Sequence, residues 1–391
     1  LTIYYPVPEI LLEHQARFIQ IVNTAHALAY EGWNVKLITG RSKHITGETI
    51  LRSFNLKYSP NLQFIFLPIL RNNIKYLPVS SNAVFELSLL HFLWRSREDK
   101  GVVFVRHPKL AKFIIMFKFL FKMPVLFEAH EIFHYNCTGY FKRLAAKNTQ
   151  RYISQRADGL IATNEHLRKE IIEAFSIRQI PVVTISNAVR RDIIEDVPQS
   201  SFERGKYIFY CGGLYTWKGV DTAIEAMRYL PQEKLMIVGS GSRLLELKAL
   251  AKALNVKSRV IFTGRVSQKR VISYLMSAKV ALIPNLPQAE SLYSSPLKMF
   301  EYMAAGVPIV ASRLSPILDV LKEGESVLCF KPGDSLNLAD TIKRLIDDKT
   351  TAKKFSMRTK QLAAHYTYNK RAELITTFIK GYIDRDLSAD A

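Results

Sequence analysis

Lys298 and Glu301, in the run SSPLKMFEYMAAGVPIV from Ser294 to Val310, lie three residues apart and so on one side of a helix. Leu297, Phe300, Met303 and Ala304 would suffice for its inner face, so the charged pair asks for a chemical reason. Ser295 reads as an N-cap, Pro296 as the first helical residue and Gly306 as the stop. Lys298 then falls in the first turn, where a cation opposes the helix dipole unless an anion such as phosphate occupies the amino end. Glu301, one turn on, suits a sugar diol, whose two O–H groups a carboxylate can accept. The plain alternative is a solvated Lys–Glu pair.

A second constellation is YIFYCGGLYTWKGVDTAIEAM. A strand ends in Gly212 and Gly213, a loop carries Lys218 and a helix starts near Val220, so backbone and cation can approach one anion. An ordinary strand-to-helix turn is the alternative, and the pattern G-x-x-x-x-G-K-[ST] is absent. A third, VLFEAHEIFH, gathers Glu128, His130, Glu131 and His134 at a strand end. Their spacing departs from H-E-x-x-H and the run starts as a strand, so no metal is expected; hydrogen bonding, acid–base work or a structural His remain open.

These residues need strands and helices to position them, and the chain alternates short apolar runs with helical-period runs, the α/β pattern of parallel sheets covered by helices. LTIYYPV, NVKLITG, LQFIFLP, VVFVRH, PVLFEAH, GLIATN and VVTISNA read as strands of a first half; KYIFYCGG, KLMIVGS, RVIFTG, VALIPN and PIVASR as strands of a second. At 391 residues two domains are expected. The polar stretch RRDIIEDVPQSSFERGK separates 1–200 from 201–365, with a last helix, in 366–391, free to pack back on the first domain. Ligands of such sheets bind at the carboxyl ends of the strands, so the chemistry is expected in a cleft between the halves. No glycine follows the first strand, which counts against a nicotinamide site.

Cys137, Cys211 and Cys329 are too scattered for a zinc site or a disulfide framework and fit a reducing, cytoplasmic setting. Phe113–Phe121, the longest apolar run, is too short to span a bilayer. The chain opens at Leu1 inside a strand-like run, so a few leading residues are expected before it. The net charge of +21 calls for an anionic partner. No nucleic-acid motif appears and the cations are scattered, which disfavours nucleic acid. Between Gly101 and Arg156, ten Lys or Arg face only Glu128 and Glu131, with Phe interleaved. That distribution fits an anionic membrane surface, against the alternative of a sheet-covering helix with exposed Lys ends.

Taken together, YCGGLYTWKG, VGSGSRLLELKALAKALNVKSRVIFTGRV, SPLKMFEYMAAGVPIVAS, FEAHE and ISNAV resemble the retaining, nucleotide-sugar-dependent glycosyltransferases of family four, over nearly the whole chain. The resemblance implies the GT-B fold, two Rossmann-like domains facing across a cleft, with donor in the second and acceptor mainly in the first. It implies a donor nucleotide-diphosphate sugar, UDP first and GDP second, no cofactor or bound metal, and a glycan or lipid-linked acceptor in surface-polysaccharide or glycolipid synthesis of bacterial type. Lys218 matches the diphosphate lysine, Glu301 the ribose acid and His130 the histidine beside the reacting carbon. Ser294, Ser295, Pro296 and Leu297 match the loop giving N–H groups to the diphosphate, and Gly264, Arg265 and Val266 the place of the base.

Three departures stand out. Gly213 occupies the position of a common Arg, leaving Arg106, Arg265 or Lys298 to supply that charge. Tyr293 replaces a frequent glutamate eight positions before Glu301, with Glu290 as a substitute, and the first loop has His14 and Gln15 where glycines are usual. These residues, with Arg106 and Glu131, are the expected further contacts with donor sugar or acceptor. The departures leave a catalytically silent sugar-nucleotide-binding module as the alternative function. For an enzyme, same-face attack is favoured because no carboxylate is an obvious nucleophile, although Glu131 and Glu290 keep a covalent route open.

Overall fold

The computed structural model describes residues 1–11, 16–69, 82–190 and 205–389. Two parallel sheets organise them. The first contains β1 (Thr2–Val7), β2 (Asn34–Gly40), β3 (Leu62–Leu67), β4 (Gly101–Val105), β5 (Val125–Ala129), β6 (Gly159–Ala162) and β7 (Val182–Thr184), in the order β3-β2-β1-β4-β5-β6-β7. The second contains β8 (Tyr207–Cys211), β9 (Leu235–Val238), β10 (Val260–Gly264), β11 (Ala278–Ile283), β12 (Ile309–Ser312) and β13 (Leu328–Phe330), in the order β10-β9-β8-β11-β12-β13. Strand order reverses between β1 and β4 and between β8 and β11, the places where such sheets hold ligands.

The sequence reading omits β13. Its three residues are too short for a period to show, and only pairing with β12 defines them. Elsewhere the near-continuous apolar strands reflect burial on both faces. In β8, Phe209 joins the cluster containing Met299, Phe300 and Met303, while Ile208 and Tyr210 join the opposite cluster with Leu247, Ala251 and Leu338. The apolar run Phe113–Phe121 divides between the helix Pro108–Met116 and a tight turn at Lys118–Leu120.

The chain forms two compact units, Leu1–Ser186 with Tyr368–Ala391, and Asn187–Thr367. It enters the second unit at Asn187, whose Nδ2 donates to the Ser295 carbonyl at 2.6 Å. The helix Tyr368–Ala389 belongs to the first unit because Ala372, Ile375 and Ile379 share a face and are buried there. Trp33 Nε1 donates to Thr376 Oγ1 at 2.8 Å, and Phe378 rests against Gly159, where a Cβ would strike its ring.

Candidate functional site

In the second unit the carboxyl ends of four strands are stitched together by backbone. After β8, Gly212 N donates to Val238 O at 2.9 Å and Leu214 N to Ser240 O at 3.1 Å; Gly239 N donates to Gly264 O at 2.9 Å. Glycine is required at Gly239, since at φ 137° a Cβ there would overlap the Gly212 carbonyl. The loop after β11 joins through Leu286 N, which donates to Trp217 O at 2.9 Å. That contact holds the turn Thr216–Lys218, whose ammonium lies 3.5 Å from the Trp217 ring centroid.

The helix carrying the Lys–Glu pair is Leu297–Ala305, and Gly306 closes it in the left-handed conformation at φ 61°. It starts one residue later than the sequence implies. Pro296 is the N-cap and the Ser295 hydroxyl caps nothing; it accepts from Asn187 N at 3.3 Å. The buried face is also wider, taking in Lys298, Met299, Tyr302 and Ala305, with Leu297 and Ala304 only half-buried. Tyr302 Oη accepts from Cys211 N at 2.9 Å, fixing the helix to the end of β8.

Lys298 is therefore no surface residue. It is 7% exposed, its Nζ lies 4.0 Å from the Tyr210 ring centroid, and that Nζ has no hydrogen-bond partner. A Cβ on Gly212 would sit 3.5 Å from the same atom, which puts the charge at the paired glycines. Burial, and then the positive charge of Lys218, push the Lys298 ammonium far below the usual lysine range. Burial brings Lys218 down to about 7. Ser294 Oγ is also buried without a partner. Two lysine side chains and a hydroxyl thus gather beside a helix amino end, and Glu301, one turn further, is the acidic charge that opposes the depression of Lys298.

One turn further, Glu301 accepts from Gln268 Nε2 at 2.8 Å. Burial raises its carboxyl, against the opposing pull of that hydrogen bond and of Lys298. Of the other residues that the sequence singles out, Gly264 ends β10 at φ 70°, Arg265 is exposed and donates from Nε to Ser240 Oγ at 2.8 Å, and Val266 packs on the core. Tyr293 is buried and Glu290 half-buried on the short helix Ala289–Tyr293.

In the first unit β5 delivers Glu128 and His130. Glu128 Oε1 lies 2.8 Å from His130 Nε2 and 2.9 Å from Arg371 Nη2. Gln20 Nε2 donates to the same oxygen at 3.4 Å. Arg106, just past β4, places Nη2 3.4 Å from His130 Nδ1 and donates from Nη1 to the Arg17 carbonyl. Burial alone would raise the Glu128 carboxyl; the Arg371 guanidinium, then His130 and Arg106, outweigh it and hold the group far below the carboxylate range. Burial and the Arg106 charge lower His130 to about 4, so the ring is neutral at physiological pH.

The run Glu128 to His134 thus splits. Glu131 is exposed on the surface, and His134 is buried against Tyr135 and Phe175, where desolvation lowers it. His14 and Gln15 lie outside the described residues. Among the described residues no group of three His, Cys, Asp or Glu could hold a metal ion.

Sequence reasoning missed Gln268, Tyr210 and Gly239 in one unit and Gln20 and Arg371 in the other. Arg371 left a signal: it sits four residues before Ile375 on the apolar face of its helix. Gln268, next to a loop, left none.

Comparison with known proteins converges on one family. Residues 19–192 match the model of Glycosyltransferase Family 4, and residues 192–362 that of Glycosyl transferases group 1. An uncharacterised glycosyltransferase of Methanocaldococcus jannaschii is 25% identical over 267 residues, 64% of this chain and 67% of that one. Matches to the first curated relatives span from 34% to 67% of their length. Among solved structures, sucrose-phosphate synthase from Thermosynechococcus elongatus superposes with a TM-score of 0.74 at 19% identity, covering 100% of both chains. HepE of Anabaena, solved with UDP, superposes with a TM-score of 0.74 at 14% identity over 97% of this chain and 100% of that one, and it has also been solved with UDP-glucose. Two parallel sheets, two contiguous family matches and full-length structural likeness agree: the chain belongs to the family-four glycosyltransferases and has the GT-B fold.

Proposed function

We propose that the protein transfers a sugar, with retention of configuration, from a nucleotide-diphosphate donor to a glycan or lipid-linked acceptor, in surface-polysaccharide or glycolipid synthesis of bacterial type. The observation that carries the reading is Lys298: a buried amine without a hydrogen-bond partner, close enough to Lys218 to feel its charge, at the amino end of the Leu297–Ala305 helix. A diphosphate would supply the hydrogen-bonding anion that Lys298 Nζ lacks and accept from the backbone N–H groups of that end. Lys298 then takes the place of the cation lost at Gly213, while Arg265 is engaged at Ser240 and Arg106 at His130. Glu301, oriented by Gln268, accepts from the ribose hydroxyls. UDP is the preferred nucleotide, in keeping with the Anabaena structures, and GDP the second.

In the reaction the bond from the anomeric carbon to the diphosphate breaks and the acceptor oxygen bonds that carbon on the same face. The acceptor's hydroxyl proton passes to the departing phosphate oxygen. The transition state is oxocarbenium-like, so stabilising charge on the leaving diphosphate is the main contribution of Lys218 and Lys298. His130 contacts the sugar as a neutral ring. No cofactor or metal is invoked.

A membrane surface is the proposed location of the acceptor, on the cytoplasmic side. The helix Tyr140–Arg156 exposes Tyr140, Phe141 and Leu144 alongside Lys142, Arg143 and Arg151. Aromatic side chains among cations suit an anionic interface. Among the described residues no helix is long and apolar enough to cross a membrane.

The test is turnover. A thermal-shift screen of UDP-, GDP-, ADP- and TDP-sugars selects the donor, and hydrolysis or transfer of that donor is then followed. Lys218→Ala and Glu301→Ala should each abolish it, and unchanged rates in both would refute the assignment.

A further inference from the structure

The Glu128–Arg371 pair is almost wholly withdrawn from water, each side chain being 1% exposed. The apolar face formed by Ala372, Ile375 and Ile379 does not itself call for a charge at 371, and a buried ion pair often stabilises no better than apolar packing. What the pair touches is more informative. Glu128 Oε1 lies 2.8 Å from His130 Nε2 without the alignment of a full hydrogen bond; a carboxylate oxygen can only accept, so this close approach favours the tautomer with its proton on Nε2. A guanidinium can only donate, so Nδ1, facing Arg106, carries the lone pair. Arg371 is itself held: Nη1 donates to the carbonyls of Ile185 at 2.9 Å and Ser186 at 2.6 Å, and Nε to Thr24 Oγ1 at 3.4 Å.

We propose that Arg371, remote in sequence from the reaction centre, is a positioning residue for His130: it pins the Glu128 carboxylate against the ring and so fixes the neutral Nε2–H tautomer with its Nδ1 lone pair toward Arg106. The proposal deepens the transferase reading and rests on its placing His130 against the donor sugar, whereas the geometry lies within the first unit alone. The groups facing the ring are Glu128 from β5, Arg106 after β4, Arg371 from the C-terminal helix and, through the carboxylate, the Gln20 amide; the Tyr5 hydroxyl from β1 lies close enough to feel the Glu128, Arg106 and Arg371 charges. Two guanidinium groups against one carboxylate disfavour a second proton on the ring. Remove Arg371 and the carboxylate acts on His130 with only Arg106 opposing it, which favours imidazolium. A cation there would oppose the positive charge that builds on the sugar in the transition state. Arg371 thereby keeps that charge away.

The experiment is a ring-proton and ring-nitrogen NMR titration of the full chain, with His130→Gln assigning the His130 signals among the nine histidines. In the wild type the ring should stay in the Nε2–H form between about pH 5.5 and 8. In Arg371→Met it should titrate within that window, with kcat falling as pH drops, by up to about 100-fold, while KM for the donor changes little. Arg371→Lys should restore a non-titrating ring. If Arg371→Met does not fold, Arg371→Gln, which keeps a donor for the Ile185 and Ser186 carbonyls, is read instead; the wild-type titration needs neither variant. A wild-type ring that titrates in the window, or a folded Arg371 variant with an unchanged spectrum and pH profile, overturns the proposal. A wild type that turns over no donor but shows the expected ring behaviour would instead refute the transferase reading.

Discussion

A lysine amine buried without a hydrogen bond destabilises a fold unless a ligand completes it, and Lys298 is such a group. Lys298→Met should leave the ligand-free protein as stable as the wild type or more so, by thermal unfolding. The same change should weaken nucleoside-diphosphate binding by about 10- to 100-fold, the loss of a charge-assisted contact of ~1.5–3 kcal/mol. A merely structural Lys298 would give the opposite pattern. Lys218 gives a pH signature. Its folded value, about 7 against an ordinary 10.5, means that between those values the unfolded chain binds more protons than the folded one. That lysine therefore makes the free protein gain stability as pH rises through the window. A bound diphosphate restores the proton, so the increase in Tm caused by UDP should shrink from pH 7 to pH 9. An increment that is constant or grows would contradict the role given to Lys218.

At the scale of elements, much was legible because each strand carries its own apolar run and each main helix its own period. Loops were legible only where residue type announces geometry, as Gly212, Gly213 and Gly306 do. Gly239 is equally constrained, but what constrains it is the Gly212 carbonyl of a neighbouring loop, which no local pattern records. Gly239→Ala should cost about 2 kcal/mol or more in urea unfolding, from a positive φ and a clash with backbone. Gly381→Ala, in a helix with nothing within 4 Å of the new Cβ, should be neutral or stabilise by about 0.5–1 kcal/mol. Equal effects at the two positions would undo the claim that loop-to-loop backbone packing shapes the site. The helix of Lys298 shows the same limit: Ser295 has the chemistry of a cap, yet Asn187, 108 residues away, engages it.

Over the whole molecule, two sheets with the same reversal of strand order each bring charged side chains to the carboxyl ends of their strands, and residues far apart in sequence complete them. Arg371 reaches Glu128 across 243 positions (371 − 128), a partnership that charge in an apolar helix face hints at but cannot assign. The net charge of +21 also acts at this scale. Replacing Lys142, Arg143, Lys147 and Arg151 by Glu should reduce binding to phosphatidylglycerol vesicles by about 100-fold or more, given ~1 kcal/mol for each lost cation; binding that ignores both these changes and salt would rule out electrostatic docking. Whether the second unit binds a nucleotide-diphosphate sugar through Lys218, Lys298 and Glu301 is decided by calorimetric titration with UDP-glucose and its GDP, ADP and TDP counterparts. The wild type should bind at least one of them saturably, and both Lys218→Ala and Glu301→Ala should lose at least about 10-fold in affinity. No binding of any of the four, or equal affinity in wild type and both variants, would contradict that assignment.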